Sequence, residues 1–98
     1  MKTNIVYLLH FENKLAHAQH YIGSTINLRR RIRDHASGAS DVNIMKVIKN
    51  KGIRFYLARV WKGDKQTERK LKKQGGACRL CPICKGRILL KNKMAFGG

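Results

Sequence analysis

Acidic side chains are scarce in this sequence. Five Asp and Glu stand against 22 Lys and Arg, a formal net charge of +17 over 98 residues. Self-repulsion of that size opposes compaction, so it is not a requirement of folding; a phosphate-rich partner explains it directly. No apolar run is long enough to span a bilayer and no lipidation signal is visible. The opening Met1 to His10 looks briefly like a signal peptide, but its apolar stretch ends at His10 with no small-residue cleavage site at the right distance, which predicts a strand and a cytoplasmic protein. Repeats, linkers and a recognition-helix or zinc-finger module are also missing. One small domain over residues 1–98 is expected, with 74–98 a cysteine-bearing loop and basic tail. Hydrophobic residues make up 43%, enough for a modest core.

What is present reads as alternating elements. Asn4 to Phe11 is apolar on both faces, as in a central strand. Glu12 to Leu15 is polar and turn-like, and Ala18 to Ser24 forms a second strand. A short connection makes the two an antiparallel hairpin, which brings Tyr7 and Tyr21 together if their side chains share a face. Thr25 or Asn27 can cap a helix with Leu28, Ile32 and His35 or Ala36 inward, stopped by Ser37-Gly38. Asp41 is the expected cap of a second helix burying Val42, Met45, Val47 and Ile48. Ile53 to Trp61 is a third strand, and Gly63-Asp64 opens a third helix of about ten residues. The order is ββααβα.

Val6-Tyr7, then Tyr21-Ile22-Gly23-Ser24-Thr25, then Asn27-Leu28-Arg29-Arg30-Arg31-Ile32-Arg33-Asp34-His35 resembles the GIY-YIG nuclease domain. That family includes homing endonucleases, some restriction enzymes and the incision module of nucleotide excision repair. The resemblance covers about Asn4 to Lys73 and is greatest to the small standalone bacterial members. It implies an α+β fold with a three-stranded antiparallel sheet flanked by helices, and a catalytic set of Tyr7, Tyr21, Arg31, His35 and the metal-binding Glu68. Ile5 stands where the first motif usually has glycine. The asparagine that many members carry near the C-terminus has no clear counterpart, Asn92 being a candidate by position alone.

The chemistry is coherent in itself. Phosphodiester hydrolysis needs a nucleophilic water, stabilisation of phosphoryl charge and help for the leaving oxygen. Glu68 offers oxygen ligands to Mg²⁺ (or Mn²⁺), and Arg31 a fixed guanidinium fork. A tyrosine has a free pKa of about 10, so as a base it must be activated; a nearby cation and arginines would push it down. The resemblance implies Tyr7 as proton acceptor, Tyr21 positioning water or phosphate, and His35 relaying the proton or orienting Tyr7. Taken singly, each residue has an ordinary reading: strand tyrosines, one solvated arginine among four, a histidine on the helix dipole, and a Glu68–Lys72 pair contributing about 0.3–0.5 kcal/mol. Their joint spacing is what favours a site.

Cys78, Cys81 and Cys84 form Cys-x-x-Cys-Pro-x-Cys, half of a structural Zn²⁺ site with no histidine at finger spacing. His10, His17 or His20 could complete it through space, or a second copy of the chain could; the alternative is three reduced thiols in a packed loop. His20 otherwise reads as packing or phosphate contact, and His10 and His17 as incidental. Arg29, Arg30 and Arg33 on the first helix, and Lys65, Arg69, Lys70, Lys72 and Lys73 on the third, are the nucleic-acid-binding candidates, with Lys85, Arg87, Lys91 and Lys93 beyond them. The expected function is a Mg²⁺-dependent DNA endonuclease of low sequence specificity, recognising a structure such as a branch, nick or single strand, and acting as a monomer or, alternatively, a dimer. The alternative is a non-catalytic nucleic-acid-binding module on the same fold.

Overall fold

The computed structural model describes residues 4–15, 18–73, 81 and 95–97. Strand β1 (Ile5–Leu15) pairs antiparallel with β2 (Ala18–Thr25) on one side and with β3 (Arg54–Lys62) on the other. Between β2 and β3 run two helices, α1 (Leu28–Ser37) and α2 (Asn43–Asn50). Helix α3 (Lys65–Lys73) follows β3, and a short strand β4 (Ala95–Gly97) pairs with β3 near Phe55. The sheet order is β2-β1-β3-β4.

The central place of β1 follows from its composition. Val6 and Leu8 belong to one apolar cluster with Ile22, Ala58 and Cys81. Tyr7, Leu9 and Phe11 belong to another with Ile32, Met45, Ile48, Ile53 and Phe55. A strand with partners on both edges and cover on both faces has no surface to give to polar side chains. Helices α1 and α2 supply the cover on the Tyr7 face through Ile32, Met45 and Ile48. On the other face Trp61 and Leu71 pack beside the second cluster.

Local signals explain the helix ends. The Asn27 side chain accepts a hydrogen bond from the Arg30 N–H, and Gly38 closes α1 at φ 86°, a left-handed conformation that favours glycine. Asp64 accepts from the N–H groups of Gln66 and Thr67, fixing the first turn of α3.

Four expectations are corrected. The sheet has four strands rather than three, and the order is ββααβαβ; β4 is too short to announce itself by periodicity, and stacking of Phe96 on Phe55, centroids 5.7 Å apart, accompanies its pairing. Glu12 to Leu15 is strand rather than turn, because pairing runs on to Leu15–Ala18 through an irregularity after His10, and Glu12 is clamped across strands by Arg54 at 2.8 and 2.9 Å. Asp41 does not cap α2: Val42 occupies the cap position with no side-chain bond, while Asp41 pairs with Arg31. Val47 is exposed; only Met45 and Ile48 of α2 are buried.

Candidate active site

The hairpin register sets the geometry. Tyr7 lies opposite Gly23, and Leu9 opposite Tyr21, so the two tyrosines are diagonal neighbours on one face. Their ring centroids are 6.1 Å apart. A Cβ at position 23 would stand 2.5 Å from the Tyr7 hydroxyl oxygen and 2.8 Å from the Tyr21 ring, so only glycine leaves room for the phenol there.

Helix α1 brings its inner face to the same place. His35 is buried, and its Nε2 is 2.8 Å from the Tyr7 hydroxyl. Its Nδ1 is 2.9 Å from the Ser40 hydroxyl, which also accepts the Val42 N–H. The imidazole is therefore held at both nitrogens, in one of two tautomers, between a serine and a phenol. Its ring lies 5.7 Å from that of Tyr21. One helical turn earlier, the Arg31 guanidinium reaches the tyrosines while Asp41 holds it at 3.2 Å. Arg31 and Arg30 also line a depression of about 260 Å³ with Thr25, Ile26, Asn27 and Asp34.

Helix α3 contributes Glu68. Its side chain is 18% exposed, and Lys72 Nζ is 3.9 Å away, at the long limit of an ion pair. Lys72 also sits 5.6 Å over the Tyr21 ring. The Glu68 carboxylate is close enough to both tyrosines to push their pKa values up. Glu12, Asp41 and Asp64 are otherwise engaged, by Arg54, by Arg31 and in capping α3.

The electrostatics depart from expectation in one respect. Burial raises the pKa of Tyr7, and the neighbouring Tyr21 adds to it, more than Arg31 lowers it. Burial raises Tyr21 as well. In the free protein both are neutral phenols at physiological pH, not activated phenolates. His35 is lowered to about 4, first by burial and then by Arg31, so it is a neutral imidazole.

Tyr7, Tyr21, Arg31 and His35, chosen from the sequence, meet on one face of the sheet, and Glu68 comes close enough to act on both phenols from α3. Two partners escaped sequence reading. Ser40 has no motif, and its loop position gave no hint that it anchors His35. Asp41 was visible only as a helix cap. The basic candidates Arg29, Arg30, Arg33, Lys65, Arg69, Lys70, Lys72 and Lys73 are all exposed.

A second group of polar side chains lies on the opposite face. His10 and His20 are paired across the hairpin, and His10 Nδ1 is 3.2 Å from His20 Nε2. Cys81 Sγ is 3.5 Å from the same His10 Nδ1. His10 and Cys81 are buried, and burial lowers both imidazoles, His20 to about 4 with a push from His10. His10 is therefore not the incidental residue the sequence suggested, and His20, read there as packing or phosphate contact, packs against it. Cys78, Cys84, His17 and Asn92, and the basic residues after Lys73, lie outside the described residues.

Comparison with known proteins gives one match. A family model described as the GIY-YIG catalytic domain aligns with residues 3–79. No curated protein and no solved structure matches.

Proposed function

The chain belongs to the GIY-YIG nuclease family, and on that premise we propose that it hydrolyses phosphodiester bonds in DNA with the help of a divalent cation, with low sequence specificity and a preference governed by DNA structure such as a branch, nick or single strand. The observation that carries this reading is the 2.8 Å hydrogen bond between Tyr7 and His35, flanked by Arg31 and Glu68. It joins a proton acceptor, a proton relay, a fixed cation and a carboxylate within reach of one scissile ester.

Glu68 fits a hard cation. It is a partly shielded oxygen donor close to both phenols, and among the described residues its ion pair is the long one to Lys72. Mg²⁺ keeps several waters and takes one or two carboxylates plus phosphate oxygens, so a single carboxylate suffices. Bound there, Mg²⁺ or Mn²⁺ supplies Lewis-acid neutralisation of phosphoryl charge.

The protein's own residues divide the remaining work. Tyr7 is a neutral phenol, so it can take a proton from water only by passing its own to His35 Nε2 in the same step. The tautomer with the Nδ1 proton on Ser40 leaves the Nε2 lone pair open for that transfer. The water oxygen then bonds to phosphorus as the P–O bond to the departing sugar oxygen breaks, and that oxygen leaves with the electron pair and takes a proton from solvent water. Arg31, oriented by Asp41, donates to the phosphoryl oxygens as their charge grows. Tyr21 positions water or phosphate beside Tyr7.

The test is incubation of the protein with plasmid, single-stranded and branched DNA, with Mg²⁺ or with chelator, beside Glu68→Ala and Arg31→Ala. Cleavage requiring Mg²⁺, lost in both variants while gel shifts persist, supports the reading. Wild-type protein that shifts every substrate and cuts none makes it a binding module.

A further inference from the structure

The geometry points to a second, separate metal site: His10 Nδ1, His20 Nε2 and Cys81 Sγ form three vertices of a tetrahedral centre for a borderline-soft divalent cation, with Zn²⁺ as its natural occupant. The site lies on the face of the β1–β2 hairpin opposite Tyr7, and it does not depend on the nuclease reading.

Spacing is the main argument. Zinc bonds of about 2.0–2.1 Å to nitrogen and about 2.3 Å to sulfur, at tetrahedral angles, give edges of about 3.3 Å between two nitrogens and about 3.6 Å between nitrogen and sulfur. The observed separations are 3.2 Å from His10 Nδ1 to His20 Nε2 and 3.5 Å from His10 Nδ1 to Cys81 Sγ. All three atoms lie within 4.8 Å of one another.

The meeting of these atoms is the second argument. An imidazole nitrogen has a single in-plane site, holding either a proton or a lone pair. His10 Nδ1 faces a nitrogen and a sulfur at once. A cation at the centre serves all three. The donor set is also selective: two imidazoles and a thiolate suit Zn²⁺, whereas Mg²⁺ prefers oxygen and would stay with Glu68.

The positions suggest what the centre is for. His10 and His20 sit on paired strands, and Cys81 comes from sequence beyond α3 and is fully buried against Val6, Leu8, Ile22 and Ala58. A shared ion would tie the cysteine motif to the back of the hairpin that carries both tyrosines. A fourth donor completes the tetrahedron from outside this trio.

The experiment uses the full chain purified without chelator. Elemental analysis should find about one zinc per chain, unchanged in Glu68→Gln. Metal-free protein titrated with Co²⁺ should develop a thiolate-to-cobalt charge-transfer band and tetrahedral d–d absorption, both bleached by Zn²⁺ but not by Mg²⁺. Both signals should vanish in Cys81→Ser and in His20→Ala. His20 is only partly buried, so its variant should fold, and the wild-type cobalt spectrum needs no variant. Wild-type protein with no zinc and no charge-transfer band overturns the proposal, as does metal binding that survives in both variants.

Discussion

Position 23 is where the site tolerates least. A methyl group there would have to displace the Tyr7 phenol, whose oxygen would stand 2.5 Å from it. We expect Gly23→Ala to lower kcat for DNA cleavage by about 10²-fold or more, since a shift of about 1 Å in a reacting group can cost that much. DNA affinity, which the proposed function assigns to the exposed basic side chains, should change little in a filter-binding or anisotropy measurement. His35 gives a second test, in pH. Its folded pKa of about 4 lies below the 6.5 of a free imidazole, so the unfolded chain binds the proton first. The stability it leaves intact above about pH 6.5 is lost as pH falls toward 4. Thermal melts of chelator-treated protein should fall across that window, and the fall should be shallower in His35→Gln. The acid limb of kcat/KM should likewise lie below pH 6.5. The identities of these residues were legible because tyrosine, arginine and histidine recur at fixed offsets along one hairpin and one helix. The direction of the Tyr7 shift was not legible, because it depends on burial from three elements at once.

Among the elements, α3 depends most on its first turn. Asp64 holds the N–H groups of Gln66 and Thr67, and Glu68 follows within that turn. Asp64→Ala should cost about 1 kcal/mol in chemical denaturation. On the proposed function it should also raise the Mg²⁺ concentration needed for half-maximal cleavage, by loosening the carboxylate close to the tyrosines. Asn27→Ala at the start of α1 should carry a similar stability cost, with its activity loss traceable to Arg31 and His35. The three main strands and three helices could be read from apolar spacing and turn residues. The hairpin tip could not, because Glu12 looks like a turn residue until Arg54 of a distant strand is seen to clamp it. The three residues of β4 are too few to show a period, and their pairing with Arg54, Phe55 and Tyr56 is set by the sheet edge.

At the scale of the whole molecule, charge sets the behaviour. The exposed cations of α1 and α3 lie on the two helices that bring Arg31 and Glu68 to the tyrosines. If six or more of them meet phosphates, DNA affinity should drop by about 10³-fold or more between 50 and 200 mM salt, in gel-shift titrations on any sequence. A flat response would remove the electrostatic account of the +17 charge. That charge was the plainest message in the sequence. The placing of His10 and His20 against Cys81 was the most hidden, since sequence separation alone does not show which histidine reaches a thiol.

Strand β1 turns odd residues toward one chemistry and even residues toward another: Tyr7 to the proton relay, His10 to the imidazole–thiol trio. Slipping the strand by a single position would aim Leu8 at His35 and bury a tyrosine among the back-face aliphatics. Zipping the hairpin in the correct frame is thus the folding event that assembles the candidate site. A chain that collapses one notch out of frame would be compact and basic, with no phenol in reach of the imidazole.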